Sequence, residues 1–262
     1  MRPFASTLRL FCLGMLVTFA ARVSHAAESA VPDSGCPNIL IGFVGGFGGQ
    51  DDLRHVPVQL AARIREQSES DDGVVFARVF ENQHEKQAYK AVLRCLDTDH
   101  DGAVSAKEKA RARIVLYGHS WGGAAVVALA RALQRKGIPI LLTVQVDSVR
   151  KLWHRDAVIP SNVAEAINFY QRHGIIRGQP HIAAEDPEKT QILGNFRMDY
   201  REHPVHCAVE PWADRVFTPD HAQSECDPQL WGQIEAMVRQ RLLVNDAAAT
   251  PAIGPVAAGS QP

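Results

Sequence analysis

Short apolar runs alternate with amphipathic stretches along the first half of the chain. Asn38 to Gly46 is an apolar, β-rich run ending in glycines, which is typical of a core strand. Val56 to Gln67 has apolar residues at helical spacing, Val74 to Phe80 has strand character, and Glu85 to Leu96 has one apolar helical face. This alternation predicts a parallel sheet covered by helices on both faces.

The same alternation continues in the middle of the chain. The apolar residues Ile114 to Tyr117 predict a short buried strand, and Ala124 to Leu133 predict a helix directly after it. Pro139 to Val146 is a further apolar run of strand length, and it ends at Asp147. The fold class predicted from this pattern is α/β, with a mostly parallel central sheet.

After Asp147 the pattern becomes looser. Asn162 to Glu165 has the residues of a capping box, which predicts a helix to about Arg172. Thr190 to Met198 is expected to form a last strand, and His203 to Cys226 has few regular features. Asp227 and Pro228 form an N-cap and first-turn pair, which predicts a final helix to about Leu242.

The two ends of the chain are unlike its middle. Arg2 and Arg9 precede an apolar run from Leu10 to Ala21, and small residues follow at 24 and 26. This pattern predicts a secretory signal peptide at 1–26, cut after Ala26 or Ala27, because the run is too short for a membrane span. A single domain is expected at 36–244, and the Ala/Pro/Gly-rich residues 247–262 are expected to be a disordered tail.

Composition narrows the class of protein. The 262 residues are 46% hydrophobic with a net charge of −1, which suits one globular domain and gives no electrostatic reason to propose nucleic acid as a partner. Oligomeric state cannot be predicted.

Without the signal peptide four cysteines remain, and an even number in an exported chain predicts two disulfides. Of the three possible pairings we favour Cys36–Cys95 and Cys207–Cys226.

A candidate nucleophile lies between the third predicted strand and its helix. Gly118-His119-Ser120-Trp121-Gly122 has the Gly-x-Ser-x-Gly pattern, which is weak alone but informative at a strand-to-helix turn. Such a turn is strained and exposes the serine hydroxyl above the sheet edge. Gly118 and Gly122 allow strand and helix to approach closely.

A serine hydroxyl needs a base and an orienting carboxylate. Asp147 follows the strand after the serine helix and is therefore expected at the same sheet edge as Ser120. Asp199, at the end of the last predicted strand, is the alternative acid. His221, predicted in the loop before the final helix, is the favoured base, and His206 is the second choice.

An oxyanion formed at this serine needs two backbone N–H donors. One is expected from Trp121, the residue after the nucleophile. The other is expected from the glycine-rich loop after the first strand, with Phe47 favoured and Gly48 possible.

Together these segments resemble the α/β-hydrolase superfamily and its lipase- or esterase-like serine hydrolases. The resemblance implies an α/β-hydrolase fold without a large lid domain and a Ser120, Asp147, His221 triad that cleaves small-molecule or lipid esters. A non-catalytic calcium-stabilised binding protein on the same scaffold, or an acyltransferase, thioesterase or amidase with the same triad, are the alternatives. The resemblance is carried by residues 44–49, 118–123, 146–148 and 220–221.

A second motif precedes the serine strand. Residues 97–108 match the twelve-residue EF-hand loop, with carboxylates at positions 1, 3 and 5, glycine at 6 and glutamate at 12. With no second loop to pair with, this loop is expected to bind Ca²⁺ for stability and not for chemistry. The predicted ligands are Asp97, Asp99, Asp101, the Ala103 carbonyl, Ser105 directly or through water, and Glu108.

Overall fold

A six-stranded parallel sheet forms the centre of the computed structural model, which describes residues 36, 38–70, 75–151, 156–207 and 219–243. Its strand order is β2-β1-β3-β4-β6-β8, and every neighbouring pair is parallel. The short strands β5 and β7 pair with each other separately. The strands are β1 Asn38–Val44, β2 Val75–Glu81, β3 Arg113–His119, β4 Ile140–Val146, β5 Val158–Ile159, β6 Val163–Tyr170, β7 Ala183–Ala184 and β8 Gln191–Arg197.

Helices cover both faces of this sheet. Residues of β1 alternate between two apolar clusters, as the period-2 geometry of a strand requires: Ile39 and Ile41 face one cluster, and Leu40 faces the other. Helices α2 and α4 pack on the first face, and α1 and α6 pack on the second. The helices are α1 Val56–Ser70, α2 Glu85–Leu96, α3 Ala106–Arg111, α4 Trp121–Gln134, α5 Pro219–Cys226 and α6 Pro228–Leu242.

This architecture confirms the predicted α/β fold class. Strands were expected at or near β1, β2, β3, β4 and β8, and helices at α1, α2, α4 and α6, and all are present. Because the strands are parallel, their carboxyl ends meet at one sheet edge. Strand β3 lies between β1 and β4, so the segments that follow these three strands are neighbours.

The helix predicted from Asn162 to about Arg172 is wrong, because these residues form strand β6. The Asn162 side chain does not cap a helix; its amide donates to the carbonyls of Ala130 (3.2 Å) and Ile138 (2.9 Å). The segment that follows is rich in β-branched and aromatic residues and lies between β4 and β8. Burial between two strands therefore outweighed a local capping signal.

Both favoured disulfides are present in the structure. Cys36–Cys95 ties the chain two residues before β1 to helix α2, with Cα atoms 4.9 Å apart. Cys207–Cys226 ties the last residue of α5 to the segment after β8, with Cα atoms 5.6 Å apart. The expected signal peptide and C-terminal tail lie outside the described residues. Within the described residues, the helices are too short or too polar to cross a membrane.

Candidate active site

Ser120 lies on a strained turn between β3 and α4. Its backbone has φ 56° and ψ −127°, a conformation that non-glycine residues rarely adopt. The turn needs glycine on both sides, because a Cβ on Gly118 would be 2.4 Å from the Gly122 carbonyl, and one on Gly122 would be 2.3 Å from the Phe43 carbonyl oxygen. Strand β1, strand β3 and helix α4 thus hold the serine in one position.

The structure brings Ser120, His221 and Asp147 into one hydrogen-bonded row. His221 Nε2 lies 2.9 Å from Ser120 Oγ, and His221 Nδ1 lies 2.6 Å from Asp147 Oδ2. All three residues are buried. With the Nδ1 proton donated to the carboxylate, Nε2 of a neutral imidazole is free to accept the serine proton.

Asp147 is held by two further donors. The Gln171 backbone N–H donates to Oδ1 (3.0 Å), and the Gln171 side-chain amide donates to Oδ2 (2.9 Å). The fit is close, since a Cβ on Gly178 would lie 2.0 Å from Asp147 Oδ1. A carboxylate that accepts several hydrogen bonds is fixed in orientation, which the acid that orients a catalytic histidine requires.

The alternative acid and base lie elsewhere. Asp199 Oδ1 accepts the backbone N–H groups of Arg201 and Glu202, and its other oxygen is 3.8 Å from His173. His206 is exposed at the surface. Neither residue contacts Ser120 or His221, so the geometry favours Asp147 and His221 over both.

His221 lies on helix α5, whereas the sequence predicted a loop at this position. The helix begins at Pro219, which is well suited to a first turn, and ends at Cys226. Ser224 Oγ donates to the His221 carbonyl (2.7 Å), and the Trp231 indole N–H donates to the Ser224 carbonyl (3.1 Å). The disulfide at Cys226 closes the end of the helix.

A second buried histidine, which sequence reasoning missed, stacks on the first. The His119 and His221 rings are 4.7 Å apart and inclined by 29°. His119 Nε2 lies 3.0 Å from Ser224 Oγ, and because the Ser224 hydroxyl donates to the His221 carbonyl, His119 Nε2 must be the donor. Burial lowers the pKa of His119 to about 4, so this ring is neutral at physiological pH.

Behind His119 lies a pair formed by His55 and Glu225. His55 Nδ1 is 2.6 Å from Glu225 Oε1, and this hydrogen bond raises the pKa of His55. Burial alone would raise the pKa of Glu225, but the bond from His55 and the nearby histidines lower it overall. Glu225 is therefore an ionised carboxylate, and its second oxygen lies 3.7 Å from His119 Nδ1. No local spacing in the sequence indicates this long-range grouping.

The glycine-rich loop after β1 lies directly against Ser120. A Cβ on Gly45 would be 2.6 Å from the Ser120 Cβ. The Gly48 N–H donates to the Gly45 carbonyl (3.0 Å), which closes a four-residue turn with Phe47 in third place. Trp121 is the first residue of α4, so its N–H has no partner within the helix. The two residues predicted to supply the oxyanion donors therefore line the same cavity as Ser120.

Ser120, His221 and the glycine-rich loop after β1 line a cavity of about 720 Å³. Phe47 and Trp121 form part of its wall, with ring centroids 6.3 Å apart in an edge-to-face arrangement. Phe47 is 98% exposed, which is unusual for an aromatic residue. The four large hydrophobic residues that are exposed in the described part of the chain all line the cavity or adjoin a lining residue. They are Phe47, Leu53, Trp121 and Ile175.

Comparisons with known proteins give only distant likenesses. No protein-family model and no curated protein matches the chain. The solved structures that resemble it include the following three. RedJ, a thioesterase of the prodiginine pathway in Streptomyces coelicolor, is 12% identical over 79% of this chain and 98% of its own, with a TM-score of 0.35. An acetylxylan esterase is 11% identical over 80% of this chain and 100% of its own, with a TM-score of 0.35. The dienelactone hydrolase-like phosphotriesterase P91 from metagenomic libraries is 14% identical over 79% of this chain and 88% of its own, with a TM-score of 0.32. At these values the activity must be argued from the site itself.

The EF-hand-like loop, residues 97–108, follows α2 and runs into α3, just ahead of the serine strand β3 in the sequence. Oxygen atoms of Asp97, Asp99 and Glu108 lie within 4.8 Å of one another. Asp97 Oδ2 accepts the Gly102 N–H (3.0 Å), and Gly102 has φ 84°, which explains the glycine at the sixth position. Asp97 Oδ1 is buried without a hydrogen-bond partner, which is the state of an oxygen that a cation would satisfy.

The other predicted ligands of this loop differ in their contacts. Asp101 Oδ1 accepts the Ala103 N–H (2.8 Å) and is not in the three-residue group. Both Glu108 oxygens accept hydrogen bonds, from Ser105 on one side and Thr98 on the other. These bonds, led by that of the Ser105 N–H, lower the pKa of Glu108 to about 2. Asp97, Asp99 and Glu108 thus offer grouped oxygen atoms of the kind that hard cations prefer.

Proposed function

We propose that this chain is an exported serine hydrolase that cleaves carboxylic esters through an acyl-enzyme. The observation that carries the proposal is the row of hydrogen bonds from Asp147 through His221 to Ser120, with the serine opening into the cavity. A buried serine, histidine and aspartate in this order form a nucleophile, a general base and an orienting acid.

In the proposed reaction, Ser120 Oγ attacks the ester carbonyl while His221 Nε2 takes its proton. Asp147 stabilises the imidazolium that forms. The oxyanion of the tetrahedral intermediate accepts hydrogen bonds from the Phe47 and Trp121 amides. The intermediate collapses to an acyl-serine as His221 returns the proton to the leaving alcohol. Water, deprotonated by His221, then attacks the acyl-serine, and His221 returns the proton to Ser120 Oγ as the carboxylic acid leaves.

Two further parts of the proposal concern the protein's setting. The two disulfides support export, because disulfides persist in oxidising compartments. We also propose that Asp97, Asp99, Asp101, the Ala103 carbonyl, Ser105 and Glu108 hold a structural Ca²⁺. The unpartnered Asp97 Oδ1 and the grouping of three carboxylates support this site. The cation would stabilise the connection between α2 and β3.

The test uses short-chain p-nitrophenyl esters and a fluorophosphonate probe. The wild-type chain is expected to hydrolyse the esters and to be labelled by the probe. Ser120→Ala should lose labelling and lose ester turnover by about 10⁴- to 10⁶-fold, since removing the nucleophile of a triad has effects of this size.

The matched control is Ser161→Ala, which removes a hydroxyl that accepts from Gln134 on the far end of α4. This variant should label and turn over like the wild type. If the folded wild-type chain neither hydrolyses the esters nor reacts with the probe, the non-catalytic binding protein is favoured instead. An active Ser120→Ala variant would exclude Ser120 as nucleophile.

A further inference from the structure

A buried asparagine at the end of β2 contacts the loop beside the serine. Asn82 follows Glu81, the last residue of β2, and is 4% exposed. Its side-chain amide donates to the Gly46 carbonyl (2.7 Å). Strand β2 is the neighbour of β1, so the residue after β2 lies beside the loop after β1.

The geometry of the turn shows what this hydrogen bond fixes. In the Gly45–Gly48 turn, the closing bond uses the Gly45 carbonyl and the Gly48 N–H. The middle peptide, between Gly46 and Phe47, is left out of that bond. Because a trans peptide directs its C=O and N–H to opposite sides, an Asn82 amide bound to the Gly46 carbonyl sets the direction of the Phe47 N–H. Among the described residues, no acceptor is found for that N–H.

Glycine at position 46 constrains this peptide less than another residue would. Gly46 has φ 50°, and a Cβ placed on it would meet no atom within 4 Å. A rotation of the middle peptide interconverts related turn types with little change in the flanking residues. Such a rotation would turn the Phe47 N–H away and present a carbonyl oxygen in its place.

Asn82 is itself held through its backbone. Lys151 Nζ donates to the Asn82 backbone carbonyl and also lies 3.0 Å from Glu85 Oε1. Lys151 follows the segment after β4, so the bond connects the ends of two strands that are not neighbours in the sheet. The donor that orients the peptide is therefore fixed in the backbone as well as in the side chain.

We infer that Asn82 is a positioning residue that holds the Phe47 N–H in the direction needed to bind the oxyanion. This inference rests on the proposed ester hydrolysis. Asn82 touches neither the substrate nor the reacting atoms, and its effect passes through one peptide unit. Removing the Asn82 amide would therefore weaken stabilisation of the transition state and change ground-state binding of the substrate little.

The test compares Asn82→Ala and Asn82→Asp with the wild type. Alanine removes the donor, and aspartate keeps the shape but offers only acceptors to the Gly46 carbonyl. In both variants kcat for a p-nitrophenyl ester should fall by about 10- to 100-fold while KM changes less than about twofold, because removing one oxyanion donor costs roughly 10²–10³-fold. Affinity for a trifluoromethyl ketone, which forms a tetrahedral oxyanion on the serine, should fall by the same factor as kcat.

The neighbouring exposed residue supplies the control. Gln83→Ala removes an amide that contacts the Glu81 side chain and not the loop, and it should leave all three quantities unchanged. Thermal unfolding of each variant shows that the fold is retained, and the aspartate variant serves if the alanine variant is unstable.

Three results separate the possible failures. Folded Asn82 variants with wild-type kcat and wild-type ketone affinity would overturn the inference. A loss of kcat with unchanged ketone affinity would also overturn it, because the oxyanion site would then be intact. A wild-type chain without hydrolysis or fluorophosphonate labelling would instead be a failure of the proposed function.

Discussion

At the scale of single residues, Asp147 is held in an unusual conformation. It has φ 44°, and it accepts hydrogen bonds from His221 and from both the backbone and the side chain of Gln171. A strained backbone persists only where the surroundings determine it. Here the fully buried Gln171 holds Asp147 in that conformation through its two hydrogen bonds.

Replacing Gln171 by leucine is therefore expected to weaken both the fold and the proposed reaction. The change removes the amide that donates to Asp147 Oδ2 and to the Ile176 carbonyl. A hydrogen bond to a charged group contributes about 1.5–3 kcal/mol, so chemical denaturation should show a loss of this size in the free energy of unfolding. Ester turnover, kcat/KM, should fall about tenfold as Asp147 loses its fixed orientation.

Gln179→Leu is the matched control on the same loop, since its amide donates to the His181 carbonyl and not to the acid. It should keep wild-type turnover. Equal turnover in Gln171→Leu and Gln179→Leu would show that Asp147 does not depend on Gln171.

Some residues of this site could be predicted from the sequence because they follow strands, and others could not. Ser120 and Asp147 follow strands directly, so the rule that parallel strands end at one edge located them without coordinates. Asn82 obeys the same rule after β2, and its polarity at a strand end was an available signal. Gln171 follows β6 directly, but the rule did not find it because β6 was predicted as a helix. His119 gave no such signal, because its importance comes from contacts with residues distant in the sequence.

At the scale of elements, two errors had different physical origins. Strand β6 was predicted as a helix because the capping signal at Asn162 was local, while the burial of β6 between β4 and β8 was not. Helix α5 was expected to be a loop because its eight residues are too short for a periodic signal. Its attachment through Ser224 and Cys226 depends on tertiary contacts.

On the proposed function, Ca²⁺ bound in the EF-hand-like loop is expected to stabilise the chain. EF-hand sites in extracellular modules bind with Kd of about 0.1–1 mM, so 10 mM Ca²⁺ should add about 1.4–2.7 kcal/mol. For a domain of this size the expected rise in Tm is roughly 3–10 °C relative to EDTA, measured by calorimetry. Ester turnover should not change with calcium.

Asp99→Ala tests the assignment, because Asp99 is exposed and its removal should not alter Tm in EDTA. The calcium-dependent rise should disappear in this variant and persist in Glu188→Ala, which removes an exposed acid outside the loop. The site would be disproved by an identical Tm for the wild-type chain in calcium and in EDTA.

At the scale of the whole molecule, buried titratable groups determine how stability depends on pH. Burial lowers the pKa of His119 from 6.5 to about 4, so the unfolded chain binds a proton more readily than the folded chain between these values. The stability associated with a neutral His119 is present above pH 6.5 and is lost as pH falls toward 4. His55 acts oppositely, because its raised pKa adds stability that is lost as pH rises through its folded value.

The free energy of unfolding is therefore expected to fall by a few kcal/mol between pH 6.5 and pH 4.5. His119→Phe keeps a ring in the stack and removes the titration, so its stability should depend less steeply on pH over this range. Denaturation at several pH values measures the slope. His206→Asn, at an exposed position, should keep the wild-type slope, and an unchanged slope in His119→Phe would exclude His119 as the cause.

The bond between Cys207 and Cys226 has a consequence for where the chain can act. Both cysteines line the cavity, and Cys226 ends the helix that carries His221. Until that bond forms, the helix that carries the base lacks its covalent tether to the segment after β8. On the proposed function, a newly made chain in a thiol-rich cytosol would therefore be a poor catalyst, and the producing cell's own esters would be spared until the chain reached an oxidising compartment.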